Sequence, residues 1–308
     1  MRKLLFVVTM ALFMAGTTAV EAQKQQLEYN LKVGETYGFE QLTTQEIHQV
    51  ITGMANDMKN TIGGEITFLV KSKIDNGYLM DVKYESLKFK MESAVMNMAF
   101  DSKNRDANNN EMLNMAFDGI IGKNFEVKMD KTGKINSVTG FEAALEAMAK
   151  QAGSNAAMMA QVTESLKQQF SDEAMKQSLE MLTAMFPAEK RKVGESWEIE
   201  TRTLKPIGMN VRNTYTLTDA SKGNWVIKGK GEVQTDKEAK MKQGAMTQSF
   251  DLSGTMTTES VFDAASGWVK EVKQEQTIEG QVAIESPQLP VTMEIPMSIK
   301  SVTTIRTL

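Results

Sequence analysis

One phrase is written twice in this chain, and it constrains the fold more than any other feature. "KVGETYGFE" occupies Lys32 to Glu40 and "KVGESWEIE" occupies Lys192 to Glu200. In each copy a glycine, Gly34 or Gly194, precedes a Glu-Thr or Glu-Ser pair and then an aromatic residue, Tyr37 or Trp197. Glycine supplies backbone angles that other residues avoid, so each copy reads as a turn that delivers the chain into a strand. The aromatic residue then packs as the strand's anchor. A chain that enters a sheet twice in the same words is expected to consist of two related β-rich halves.

The parallel continues downstream of each phrase. After the first copy, Ile66, Phe68, Val70 and Ile74 alternate with Thr67, Leu69, Lys71 and Lys73, the two-residue period of a strand with one buried face. Asn76-Gly77 marks a hairpin turn, and Tyr78, Met80, Val82 and Tyr84 resume the alternation. After the second copy, Val211, Tyr215 and Leu217 alternate with threonines and Arg212, Gly223-Asn224 marks the turn, and Trp225, Ile227 and Val233 share a face. Farther on, "VKMDKTGKI" (Val127 to Ile135) and "SVFDAASGWV" (Ser260 to Val269) each hold an aspartate, a short polar turn and a glycine, Gly133 or Gly267. The first copy is longer by a Met- and Asn-rich stretch near residues 93–120, which reads as an insertion whose polar part is a mobile loop.

Between the halves the pattern changes. "FEAALEAMAKQ" from Phe141, "NAAMMAQVTESLKQQF" from Asn155 and "DEAMKQSLEMLTAMF" from Asp172 are rich in strong helix formers. In the last of these Met175, Leu179, Leu182 and Phe186 recur at helical spacing, with Ser171 as cap and Pro187 as stop. All five prolines and all three tryptophans lie from Pro187 onward, which places a seam there. The expected fold is α+β: a large, curved antiparallel sheet from two related halves, packed against helices from the central linker. The expected divisions are 1–22 as a signal peptide, 23–140 as the first half, 141–187 as the helical linker and 188–308 as the second half.

The opening residues read as an export address. Arg2 and Lys3 precede an apolar run from Leu4 to Met14, and Val20-Glu21-Ala22 fits a small-residue cleavage site that would release the chain at Gln23. The run is shorter than the roughly 20 residues of a membrane span, and no later stretch is long enough either. The expected location is therefore the periplasm or the extracellular space. The chain has no cysteine, so its stability rests on packing rather than disulfides. With a formal net charge of −4 and scattered basic residues, nucleic acid is not an expected partner.

Catalytic chemistry finds little support. The single histidine, His48, stands in "TTQEIHQVITG", an expected strand, with no serine in a nucleophile-elbow sequence, and reads as a half-exposed strand residue. Without cysteine or a histidine cluster no zinc site is indicated, and no phosphate-binding GxxxxGK occurs. Met91, Met96, Met98, Met112 and Met115 could supply thioethers to copper(I), but methionine more commonly fills irregular apolar gaps or lines adaptable binding surfaces. "DSKNRDANNNE", Asp101 to Glu111, has the oxygen-rich composition of a calcium loop without its central glycine or closing glutamate. The reading is a non-enzymatic protein with no catalytic residue, no metal and no cofactor.

"FEVKMDKTGKINSVTGFE", "AMFPAEKRKVGESWEIE" and "ESVFDAASGWV" together resemble an uncharacterised family of secreted bacterial proteins, a domain of unknown function running over nearly the whole of residues 23–308. At the level of fold the chain is also similar to periplasmic half-barrel carriers, which hold lipoproteins or lipids in a concave sheet. That similarity implies a binding or carrier protein for an apolar ligand, a lipid or a lipidated partner, with ligand-binding residues still to be found. The alternative is a structural or interaction protein of the cell envelope whose partner is another protein.

Overall fold

The computed structural model describes residues 24–143, 145–146, 171–203, 207–237, 239–243, 245–288 and 291–308. The expected helix from Asn155 and the signal segment lie outside the described residues. Among the described residues thirteen strands form one antiparallel sheet. They are β1 (Thr36–Ile51), β2 (Met54–Ile74), β3 (Gly77–Ser93), β4 (Asn97–Asp101), β5 (Asn124–Asp130), β6 (Ile135–Thr139), β7 (Ser196–Thr203), β8 (Met209–Asp219), β9 (Asn224–Thr235), β10 (Lys240–Gln243), β11 (Met246–Asp263), β12 (Val269–Glu285) and β13 (Met293–Thr307). Helix α1 spans Glu111–Asp118 and α2 spans Asp172–Thr183.

The sheet order is β6-β5-β3-β2-β1-β13-β12-β11-β9-β8-β7, with β4 on β3 and β10 on β11. Each half is thus a meander, both advance across the sheet in the same direction, and the last strand returns to pair with the first. The repeated phrase makes the same bonds in each. Glu35 N donates to Lys32 O at 3.2 Å, and Glu195 N donates to Lys192 O at 3.0 Å. Both turns carry their glycine at positive φ, 85° at Gly34 and 91° at Gly194, as a turn with glycine in its third position requires. Gly34 N then donates to Val70 O, as Gly194 N does to Leu217 O, and both partner strands bulge just beyond that residue.

The hairpin turns differ in detail. The first uses Asp75 and Asn76, with Gly77 already in β3, where a Cβ would overlap the Met129 carbonyl oxygen. The expected Asn76-Gly77 turn is therefore shifted by one residue, and the glycine serves close strand approach rather than positive φ. The second uses Lys222 and Gly223, both at positive φ.

Residues 24–31, which the sequence pattern did not single out, tie the halves together. Tyr29 N donates to Lys131 O and Asn30 N to Ser266 O, so this segment bonds to the two matching Asp-Gly turns, one from each half. Leu27, Tyr29 and Leu31 are buried, and the Tyr78 hydroxyl donates to Tyr29 O while accepting from Leu31 N. Gly133 and Gly267 face this junction, and a Cβ there would overlap the carbonyl oxygens of Thr183 and Glu28 respectively.

Helix α2 begins at Ser171, whose hydroxyl accepts from Ala174 N at 3.1 Å, and buries Met175 and Leu179. It ends at Thr183, short of Phe186, but Phe186 is still buried, against the rings of Tyr29, Trp225 and Phe262. The helix touches β6 and β7, the two outermost strands, so it bridges sheet edges that do not pair with each other. That arrangement shields two rows of backbone groups that would otherwise recruit a further strand.

Candidate functional site

Along the inner face of the sheet, alternation stacks three zones. At the end held by residues 24–31 and α2 lies a large aromatic and aliphatic core. At the opposite end is a second cluster around Val211, Phe250, Leu252, Ile278 and Val282, joined by half-buried Met209, Met241, Met256, Met293 and Met297. Between them runs a belt of uncharged polar side chains. Thr43 meets Thr303 at 2.9 Å, and Gln45 Nε2 donates to Ser301 Oγ at 3.5 Å.

Beside this belt, in the first half, the described residues leave a cavity of about 470 Å³. Its floor comes from Phe39 and Gln41 of β1, Ile62, Gly63, Gly64 and Ile66 of β2, and Tyr84, Leu87 and Phe89 of β3. Leu113 and Phe117 of α1, with Ile120, Phe141 and Leu182, supply the cover. The lining is mostly apolar, and the size falls within the range of small-molecule sites. Burial pushes the Tyr84 phenol up to about 12, so it stays a neutral hydroxyl at any ordinary pH. The one cation in the lining, Lys88, sits 3.4 Å from Asp101 Oδ2.

The segment between β3 and β5 builds much of the cover. Strand β4 pairs with the far half of β3 while β5 pairs with its near half, so the extra residues extend the sheet before turning back over it. The polar stretch expected as a loop is a bonded connection, in which three asparagine side chains accept from backbone amides. Asn108 Oδ1 accepts from Asp101 N, Asn109 Oδ1 from Ala99 N, and Asn110 Oδ1 from Leu113 N at the start of α1. Asp101 Oδ1 in turn accepts from Lys103 N and Asn104 N. Partial burial acts to raise the Asp101 carboxyl, but these amides and Lys88 hold it below the ordinary carboxylate range. Arg105 pairs with Asp118 at 2.6 Å and lies over the Phe100 ring, which packs on Phe117 with centroids 4.9 Å apart. Lys103 pairs with Glu65 of β2 and pins the connection to the sheet.

The residues singled out by sequence are scattered. His48 stands on the exposed face of β1, where Nδ1 lies 2.6 Å from Asp57 Oδ1. Met91 and Met98 face each other across β3 and β4, and Met98 Sδ accepts from Asn110 Nδ2, whereas Met96 is at the exposed hairpin tip. Among the described residues no three acidic or histidine side chains gather as a metal site. Trp197 donates from Nε1 to Met185 O at 2.8 Å, and Tyr37 packs on Trp268 at 5.2 Å, so both act as anchors. Sequence reasoning missed Ile62, Leu87 and Phe89; the available signal was the Gly63-Gly64 pair inside a long strand, which often marks a place of close approach or open space. A second recess, of about 580 Å³, lies on the outer face and is lined by Lys228, Lys230 and Lys273, of which Lys228 and Lys273 are paired with Glu259 and Glu275. Among the described residues no helix is long and apolar enough to cross a membrane.

The solved structure "Lipid-protein interactions in lipovitellin" is similar over 91% of this chain and 25% of that one, with 8% identity and a TM-score of 0.51. The chain therefore spans about a quarter of the lipovitellin chain it matches, and the likeness is one of fold. An outer membrane channel from Pseudomonas putida F1 aligns over 91% of this chain and 97% of its own, at 7% identity with a TM-score of 0.24. The β domain of the Bordetella autotransporter BrkA gives 88% and 100%, 8% identity and 0.23. Scores that low do not establish a shared fold. No curated protein matches the chain. Residues 75–269, from the first hairpin through the second Asp-Gly turn, match the "Family of unknown function (DUF6263)", and with more than half its length inside that match the protein belongs to this family.

Proposed function

We propose that the protein is an exported, non-enzymatic binding or carrier protein for an apolar ligand, held in the first half between β1–β3 and α1. The observation that carries this reading is the cavity of about 470 Å³ with a mainly apolar lining. Ile62 lines it and is 43% exposed, so the space is open to an incoming ligand. An acyl chain that loses about 300 Å² to such a site gains on the order of 7 kcal/mol before the costs of association are subtracted. The lipovitellin likeness supports the same reading, since that structure concerns lipid-protein interactions. Export is supported by the basic, apolar and small-residue pattern of residues 1–22, and terminal sequencing should find Gln23 first; retention of Met1 would remove it.

Trp268 packs 6.2 Å from Phe39, a lining residue, and makes a natural reporter. Native mass spectrometry of gently purified protein should show an adduct, and delipidated protein should give a saturable fluorescence change with acyl ligands. If neither appears, the envelope interaction reading takes its place. One observation favours that alternative: the register puts exposed Met54, Val95, Met96, Met246 and Val291 on hairpin tips at one end of the sheet, as a partner surface would require.

A further inference from the structure

Resting on that binding reading, the geometry points to the chemical class of the ligand: a single-chain amphiphile whose head is uncharged and donates hydrogen bonds, such as a long-chain alcohol, amide or monoacylglycerol. The inner face of the sheet carries the first argument. On β1, β2, β3 and β13 the inward positions are apolar, hydroxyl, amide or glycine residues, and every charged residue of these strands alternates to the outer face. The one lysine bordering this space, Lys88, alternates to the outer face and is held there by Asp101, so among the described residues a carboxylate or phosphate entering it meets no inward cation.

Asn60 carries the second argument. It is the next inward residue after Ile62 along β2, roughly 7 Å beyond the cavity lining, and is only 9% exposed. Its Oδ1 is buried without a hydrogen-bond partner among the described residues. On α1, Asn114 stands three residues before Phe117 of the lining and has a buried, unpartnered Oδ1 as well. Buried acceptors nearly always find donors, and their desolvation is uncompensated until one arrives. Gln45, opposite Asn60, already gives its amide to Ser301. A hydroxyl or amide N–H on the ligand supplies what Asn60 lacks, while a carboxylate brings only further acceptors. At about 470 Å³ the cavity lies in the lower half of the range of small-molecule sites, which suits a single-chain ligand.

The test titrates delipidated protein, followed by Trp268 fluorescence, with a fatty alcohol, a primary amide, a monoacylglycerol, a fatty acid and a lysophospholipid of one chain length. The uncharged heads should bind about tenfold tighter than the charged ones. Asn60→Leu should abolish that advantage while leaving Tm unchanged or higher, because an orphan acceptor has been removed rather than a bond. Asn114→Ala, on a helix outside the sheet, serves as a second variant with the same expectation. Equal affinity across the head groups, or an Asn60→Leu protein that keeps the alcohol preference, overturns the head-group assignment and leaves the binding reading intact. Failure of every ligand overturns both.

Discussion

The two halves enter the sheet through the same turn and the same hydrogen bonds, yet they use their inner faces in opposite ways. In the second half, Gly229 and Gly231 of β9 make room that neighbours fill: the Tyr215 ring stands over one, and Asn213 with Met256 over the other. In the first half, Gly63 and Gly64 are approached closely by the carbonyl oxygens of Gln41 and Ser86, yet they border a space of about 470 Å³ that the described residues leave open and that α1, Ile120, Phe141 and Leu182 cover. A meander therefore specifies strand order and turn chemistry without specifying whether its concave side is filled. What decides is the size of the inward residues and the presence of a cover.

The shared part of this comparison should be the most fragile. Gly133→Ala and Gly267→Ala each force a side chain at positive φ into a carbonyl oxygen where residues 24–31 and α2 meet the turns. Each should cost about 3 kcal/mol or more in denaturant unfolding. Gly140→Ala, at φ 99° with its nearest neighbour 3.8 Å away, should cost only about 1 kcal/mol. A tolerant Gly267 beside an intolerant Gly133 would break the equivalence of the two turns.

The differing part should respond to filling. Leu87→Trp extends an aromatic ring into the first-half cavity and should weaken binding of an acyl probe by tenfold or more while stability changes by less than about 1.5 kcal/mol. Thr258→Leu, on the already filled inner face of the second half, should instead destabilise by about 1–3 kcal/mol and leave probe affinity alone. Equal effects on binding would erase the distinction between the halves.

A smaller effect belongs to the aspartate of the second Asp-Gly turn. Asp263 accepts from the Ser266 hydroxyl at 2.8 Å and the Ser266 amide at 2.9 Å, and with Lys270 these hold its carboxyl below the ordinary range. Because the folded-state pKa is depressed, this contribution is complete above the unfolded value near 4 and fades as pH falls through the lower folded value. Asp263→Asn should cost about 1 kcal/mol at neutral pH and flatten the loss of stability below about pH 4. Thermal melts from pH 3 to 7 would show whether the slope changes. Of similar size, Gly34→Ala and Gly194→Ala, with open space around each, should cost about 1 kcal/mol apiece and by equal amounts.

Much of the fold was legible in the sequence because its signals are local. Two-residue alternation at Ile66, Phe68 and Val70 gave strands, glycine in the repeated phrase gave the turns, and the Ser171 cap gave the start of α2. The cavity was not legible, because whether Ile62, Leu87 and Phe89 face a filled or an empty space depends on partners more than twenty residues away in sequence, on α1 and α2. The insertion misled for a different reason. Its asparagines have the composition of a loose loop, but side-chain oxygens that cap backbone amides order a chain as well as apolar contacts do, and composition does not distinguish the two uses. Residues 24–31 do carry the two-residue period, with Leu27, Tyr29 and Leu31 buried and Glu28 and Asn30 between them, but the segment bonds to turns rather than along a neighbouring strand, so the period alone did not reveal that it ties the halves together.

The central claim is that the ligand lies in the first half and not in the second. An acyl probe carrying a photoreactive group at its chain end, bound to delipidated protein, irradiated and mapped by peptide sequencing, tests this directly. The account predicts labelling on β2, β3 and α1, at residues such as Ile66, Tyr84 or Phe117, and its loss in Leu87→Trp. Saturable labelling confined to β8, β9 or the methionines of the far cluster would contradict it.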